Sequence, residues 1–324
     1  MDHLRTLLSG MVVVAAVLQA QPDKQCTQVL VVNALDERGV PVQGLSANAF
    51  RASSRGNPIT ITSAQFRENV AARAVVLLDS SGSMSSGRDS NKWKIALTAT
   101  SEFISAAPPA WQVSFMTFAD SIKEKFSAAG GREAIQKWLK SPEANKSTNL
   151  KGKTALFDTI RAALNELQPA QTGDAIFVIT DGGENNSAEK ASLIERELHS
   201  SATRLFVFML NDAMTSEEQL GAVTLYDLAR RSGGSVLNFS PQSFETKFPH
   251  REYEYDDKIG AHVRAGTDII GTEIGSYYVL AIRGQVSIPK PEPWKLELLD
   301  AKGHKRKNVN VTYPSHLPRC VPPV

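Results

Sequence analysis

Between about residues 70 and 240 the chain alternates two kinds of segment. One is a short apolar run, as in Ala74–Leu78 (AVVLL), Ala175–Thr180 (AIFVIT) and Arg204–Leu210 (RLFVFML). Runs of that length with hardly a polar position suit strands covered on both faces of a parallel sheet. Residues 112–118 (QVSFMTF) and 235–239 (SVLNF) extend the set, whereas Ile122–Phe126 is polar at alternate positions and reads as an antiparallel edge. The other kind repeats at helical spacing. Trp93, Ile95, Ala96, Phe103 and Ile104 form one apolar stripe over 92–107, which Pro108 and Pro109 stop. Helices are also predicted at 131–140, 155–167, 188–199 and 217–232. Strand–helix alternation of this kind implies an α/β fold with a doubly wound, mostly parallel sheet and right-handed crossovers.

The flanks differ. Residues 27–34, 49–53 and 58–66 are short β-type stretches separated by Asp36–Gly39 and Ser54–Asn57 turns. After residue 243, residues 244–258 lack a period and read as a linker or surface loop; a helix follows at about 259–273. Strands are expected at 276–282, 293–300 and 307–313. β structure thus brackets the α/β core, and the simplest arrangement is one small β-sandwich built from both chain ends. The expected division is 1–20 signal peptide, 21–68 N-terminal β segment, 69–243 α/β domain and 244–324 linker, helix and C-terminal β segment.

The first residues change the picture of where the protein works. One Arg in residues 1–5, an apolar run at 6–18 and a small Ala20 before Gln21-Pro22 make the pattern of a secretory signal peptide, with an uncleaved anchor as the alternative. No later stretch suits a membrane span, so the mature chain is expected in the periplasm, in the cell envelope or secreted. In such a compartment Cys26 and Cys320, the two cysteines of the chain, are expected to pair and to bring the first and last strands side by side; two free thiols are the alternative. A net charge of +2 over 324 residues argues against a nucleic-acid binder. The cluster Lys302–Lys307 reads as a solvated turn.

Candidate chemistry sits in three loops. Asp79-Ser80-Ser81-Gly82-Ser83 follows the AVVLL strand, Gly152-Lys153-Thr154 opens a helix, and Asp181-Gly182-Gly183-Glu184-Asn185 follows the AIFVIT strand. Open α/β sheets place ligands at the C-terminal ends of their strands. The donors on offer are two carboxylates and three hydroxyls, hard oxygens that select Mg2+, Ca2+ or Mn2+ over zinc or copper. Gly82 lets the first loop curl so that Ser81 and Ser83 face one point.

DSSGS, GKTALFD and TDGGEN together resemble the metal-ion-dependent adhesion site (MIDAS) of von Willebrand factor A (vWA) domains, over about residues 70–240. The resemblance implies a metal site of Asp79, Ser81, Ser83, Thr154 and Asp181, with Asp181 acting through water. It also implies a non-enzymatic module whose Mg2+ (or Ca2+ or Mn2+) captures an Asp or Glu carboxylate of a partner protein. The segments VLVVNALDERGVPVQGLSANAFRASSRGNPITI and GSYYVLAI resemble the flanks of "VWFA-related" proteins of Acidobacteria. Lys153, where relatives often have Gly, and the polar loop Ser85–Asn91 depart from the pattern at the rim.

Plainer roles stay open for each residue. Beside the metal reading, which the joint occurrence favours, Asp79 also reads as a helix N-cap or Asx turn, Thr154 as a helix N-cap and Asp181 as a turn residue. Glu184 reads as a solvated loop acid, and Asp158 as a solvent-facing or loop-supporting one. The six histidines occupy no strand-end motif, and no G-x-S-x-G, H-E-x-x-H or C-x-x-C occurs. A binding or adhesion module is therefore the expected function. The alternatives are an envelope scaffold that the metal only stabilises and, remotely, a metal-dependent hydrolase.

Overall fold

The computed structural model describes residues 26–85, 91–146, 150–210, 216–239, 252–284, 288 and 290–320. The expected signal peptide and residues 244–251 of the expected linker lie outside them. Three strands come first: β1 (Cys26–Asp36), β2 (Phe50–Ser54) and β3 (Asn57–Arg67). The α/β unit follows with β4 (Arg73–Asp79), α1 (Asn91–Ala106), β5 (Gln112–Phe118), β6 (Ile122–Phe126), α2 (Gly131–Leu139), α3 (Leu156–Glu166), β7 (Ala175–Thr180), α4 (Ala191–Ser201), β8 (Arg204–Leu210), α5 (Ser216–Ser232) and β9 (Val236–Phe239). The long helix α6 (Glu252–Gly275) then leads to β10 (Tyr277–Gly284), β11 (Glu292–Pro293), β12 (Lys295–Leu298), β13 (Val309–Thr312) and β14 (His316–Leu317).

The central sheet has the order β6-β5-β4-β7-β8-β9, parallel except for the antiparallel edge β6. The inner strands β4, β7 and β8 are almost wholly apolar because each face has its own core. Val76, Leu78, Phe177 and Ile179 pack on one side with Trp93, Phe103, Val263 and Ile270 of α1 and α6. Their neighbours Val75, Leu77, Ile176 and Val178 pack on the other with Ile160, Ile194 and Leu225 of α3, α4 and α5. The period-two alternation of strand side chains divides each run between the two cores.

α6 begins at Glu252, inside the stretch expected to be loop. Its opening EYEYDDK segment carries no apolar period, yet acids are favoured in the first turns of a helix by its dipole. The regular pattern starts only at Ile259, which is where a search for periodicity places the helix.

The flanking β segments interleave in one six-stranded antiparallel sheet of order β12-β2-β3-β10-β1-β13, with a two-stranded ribbon β11-β14 beside it. The sheet curls until the edge strands β12 and β13 approach each other. It encloses Leu30, Val32, Phe50, Tyr278, Leu280, Trp294 and Leu296. β1 lies between two C-terminal strands, with Cys26 opposite Gly284 of β10 and Asn33 opposite Thr312 of β13. Cys320 exchanges backbone hydrogen bonds of 2.8 Å with Ile288, four residues beyond Gly284.

A buried polar clasp joins the two sheets at the N-terminal ends of the parallel strands. The Arg204 guanidinium donates to the carbonyls of Gly173 (3.2 Å), Glu273 (2.7 Å) and Ile274 (3.1 Å) and to Asn33 Oδ1 (3.2 Å). Asn33 Nδ2 in turn donates to the carbonyls of Glu273 (2.8 Å) and Ser276 (2.9 Å). The Tyr277 ring lies 4.7 Å from the guanidinium carbon. The carbonyls of Glu273 and Ile274 belong to the last turn of α6, so a cation completes acceptors that the helix leaves unpaired.

Candidate metal centre

At the opposite end of the sheet, strand geometry delivers the loops. β4 ends in Asp79 and β7 in Thr180, and the two strands are hydrogen-bonded neighbours, so Asp79 and Asp181 leave side by side. The middle loop is pinned between them. Gly82 N donates to Gly152 O (3.1 Å), Ala155 N to Ala119 O (2.7 Å), and Thr154 O accepts from the amides of Asn185 and Asn186 (both 3.1 Å). The Asn185 side chain closes the ring by accepting from Thr154 N at 2.8 Å.

Four of the five residues singled out from the sequence form one hydrogen-bonded group. Asp79 Oδ1 accepts from Ser81 N (2.9 Å); the Ser81 and Ser83 hydroxyls lie 3.1 Å apart; Ser83 Oγ donates to Asp181 Oδ1 (3.2 Å). Thr154 stands next to the group. A methyl group added to Gly183 would lie 3.2 Å from Thr154 Oγ1 and 3.7 Å from Asp181 Oδ1, so the missing side chain leaves the space between those oxygens free. Thr154 does not cap α3: Ala155 occupies that position, without a side-chain cap.

Charge is concentrated here. Asp79 and Asp181 are both 0% exposed. Burial, reinforced by the charge of Asp181, pushes the Asp79 carboxyl up to about 7, against hydrogen bonds from Thr180 and Ser81 that favour its ionised form. Among the described residues one cation enters the group: Lys92 Nζ lies 3.0 Å from Asp181 Oδ2. Among the described residues, two buried carboxylates thus face one buried ammonium, and buried charge is costly unless paired.

The donor set fits a hard divalent cation. Every candidate ligand is oxygen, two carboxylates and three hydroxyls, as Mg2+ prefers. Among the described residues no group of three or more His, Cys, Asp or Glu is placed to hold a metal.

The raised Asp79 carboxyl has a measurable consequence without metal. Its folded value of about 7 exceeds the ordinary 3.8, so between those values the folded state binds more protons than the unfolded state. Stability then declines with rising pH across that window and levels off above it. Scanning calorimetry of the EDTA-treated protein is expected to show this fall in melting temperature from about pH 5 to pH 8, with the slope lost in Asp79→Asn; an unchanged slope in the variant contradicts the assignment.

Neighbouring acids turn out to hold the loops. Glu184 Oε2 accepts from Phe157 N (3.0 Å) in the first turn of α3 and from Ser187 Oγ (2.7 Å), so it is a helix-capping acid rather than a solvated one. Asp158 accepts from the amides of Ala188 (3.0 Å) and Glu189 (2.9 Å), which is loop support. Three contributors were missed by the sequence reading. Thr180 Oγ1 donates to Asp79 Oδ2 (2.7 Å) and accepts from Gly182 N (3.0 Å). Asn185 positions Thr154, as above, and Lys92 pairs with Asp181. For Lys92 a signal existed: it precedes Ile95 and Ala96 by three and four residues and so shares their buried face. Of the departures noted at the rim, Lys153 is exposed beside Thr154, and residues 86–90 lie outside the described part.

Residues 74–184 match the family model of the von Willebrand factor type A domain. No curated protein matches the chain. Among solved structures, an aerotolerance-related membrane protein from Bacteroides fragilis shares 18% identity over 63% of this chain and 98% of its own (TM-score 0.43). A von Willebrand factor type A protein from Catenulispora acidiphila shares 12% identity over 94% of this chain and 75% of its own (TM-score 0.43). Proximal thread matrix protein 1 from the mussel byssus, solved with a zinc-occupied MIDAS motif, shares 15% identity over 62% of this chain and 48% of its own (TM-score 0.40).

Proposed function

We propose that this chain is an exported binding module whose three loops hold a divalent cation, Mg2+ foremost, and present it to an acidic residue of a partner protein. The observation that carries this reading is the convergence of Asp79, Ser81, Ser83 and Asp181, with Thr154 across the Gly183 gap, in the α/β segment that matches the vWA family model. Bound there, the cation supplies an electrophilic position at which a carboxylate can replace water. The protein's own groups do the rest. Asp79 and Asp181 provide the negative charge, and Ser81, Ser83 and Thr154 provide neutral oxygens, so a divalent ion keeps affinity for a further anion. Thr180 and Ser81 N hold Asp79 in orientation, and the Asn185 side chain holds Thr154 N. No residue in the group is placed as a general base for hydrolysis.

Export is part of the proposal, on the pattern of residues 1–20. So is a Cys26–Cys320 disulfide, which is favoured by the backbone pairings of Cys26 with Gly284 and of Cys320 with Ile288. In the chain-entropy picture a bridge over so long a loop contributes about 5 kcal/mol. Peptide mass mapping without reductant is expected to find the two cysteines in one linked peptide pair; two alkylated thiols contradict it.

The functional test combines binding and capture. Calorimetric titration of the mature chain with Mg2+, Mn2+ and Ca2+ is expected to show one site, with EDTA abolishing retention of envelope proteins on the immobilised chain. Retention indifferent to EDTA, together with a melting temperature that depends on the metal, returns the scaffold reading instead. Absence of binding for all three ions removes the metal from the account.

A further inference from the structure

We infer that Lys92 is a resident counter-ion of the acidic pair, with which a divalent cation has to compete, so that this one lysine holds down the metal affinity of the centre and keeps its metal-free form assembled. The inference rests on the metal reading above. Lys92 is the second residue of α1 and only 5% exposed, and its Nζ lies 3.0 Å from Asp181 Oδ2. An ammonium carried by the buried face of an amphipathic helix is a costly arrangement unless it meets a charge of opposite sign. Here the charge it meets belongs to the group of candidate ligands.

The two oxygens of Asp181 divide their work. Oδ1 accepts from Ser83 Oγ (3.2 Å) and from Gly183 N (3.4 Å), whereas Oδ2 accepts from Lys92. The ammonium therefore reaches the acid through the oxygen that the hydroxyl cluster does not use. It leaves the space between Thr154 and Asp181 free while placing a positive charge one carboxylate away from it. In a buried setting charge–charge terms are weakly screened, so a fixed positive charge at that distance opposes a doubly charged ion.

Lys92 has a second, opposing effect, since its hydrogen bond also steadies Asp181. That orientation is held independently by Ser83 and by the Gly183 amide, both of which remain when the lysine is removed. The electrostatic effect is therefore the larger. The same pairing ties the loops to α1, with Ser81, Ser83, Asp181 and Lys92 linked in series.

The test is titration of the full mature chain with Mg2+ at fixed pH and ionic strength, in the wild type and in Lys92→Met, Lys92→Gln and Lys92→Arg. Met and Gln remove the charge, and Gln keeps a hydrogen-bond donor and tolerates a polar pocket if Met fails to fold. Both are expected to bind Mg2+ about tenfold or more tightly than the wild type and to melt at lower temperature when metal-free; Arg is expected to stay near the wild type. Equal or weaker affinity in the neutral variants, with the wild type binding, overturns the inference and leaves the metal reading in place. Binding by the neutral variants alone bears the inference out in its strongest form and removes the metal reading from the wild type. Binding by none of the four overturns both.

Discussion

Asp79→Asn is expected to lose Mg2+ binding by more than about 100-fold while the protein stays folded. Loss of a group that merely supports a metal ligand costs roughly 10- to 100-fold in affinity, and Asp79 supplies one of only two carboxylates in the cluster. The amide is nearly isosteric. Its oxygen still accepts from Ser81 N, and its nitrogen donates to Thr180 Oγ1, where the acid accepted. What disappears is a buried charge that burial and Asp181 both disfavour. Affinity and metal-free stability should therefore move in opposite directions above pH 7: weaker binding, and a melting temperature equal to or above that of the wild type. Titration calorimetry and differential scanning calorimetry on the same preparations read both. Binding within tenfold of the wild type rules Asp79 out as a ligand.

Arg204→Met should do the reverse, lowering stability by about 3–5 kcal/mol and leaving Mg2+ affinity unchanged. The guanidinium is buried and serves three backbone carbonyls and Asn33 Oδ1. Methionine fills much of the volume but donates nothing, and each buried acceptor left without a partner costs about 1–3 kcal/mol, partly recovered by relaxation. Glu273 also loses a nearby positive charge, although burial already raises its carboxyl above the ordinary range. A fall of about 5–8 °C in melting temperature corresponds to this loss for a chain of this size. Because the clasp sits at the end of the sheet opposite the loops, a change in metal affinity beyond about twofold shows that the two ends are coupled and contradicts the assignment.

The contrast between these two sites also explains what was legible in the sequence. β4, β7 and β8 were readable because both faces of each are covered, which removes polar residues from the run; β6 was readable for the opposite reason, being an exposed edge. Asp79, Ser81, Ser83, Thr154 and Asp181 stood out because loops at strand ends seldom gather so many hard oxygens. Thr180 did not, since a β-branched residue ending a strand looks like an ordinary strand residue. Glu184 was taken for a solvated acid because its partner, Phe157 N, is 27 residues away in the chain. Arg204 passed as the first residue of an apolar strand, and its clasp relies on groups up to 171 residues distant. Lys92 is the intermediate case: its spacing showed the buried face, but its charge hid it from a search for apolar stripes.

The interleaving of the antiparallel sheet has a consequence in time. Cys26 pairs with Gly284 and Asn33 with Thr312, whereas all partners of the parallel sheet lie between Arg73 and Phe239. Pairings of long sequence separation form late, because the loop between them must first be closed. During synthesis β1, β2 and β3 therefore precede the α/β unit and complete their pairing after it. Their apolar side chains Leu30, Val32 and Phe50 and the open flank of β1 remain uncovered until β10, beginning at Tyr277, and the strands after it are made. That interval, rather than the assembly of the α/β unit, is when uncovered strand edges and apolar side chains leave the chain most open to aggregation.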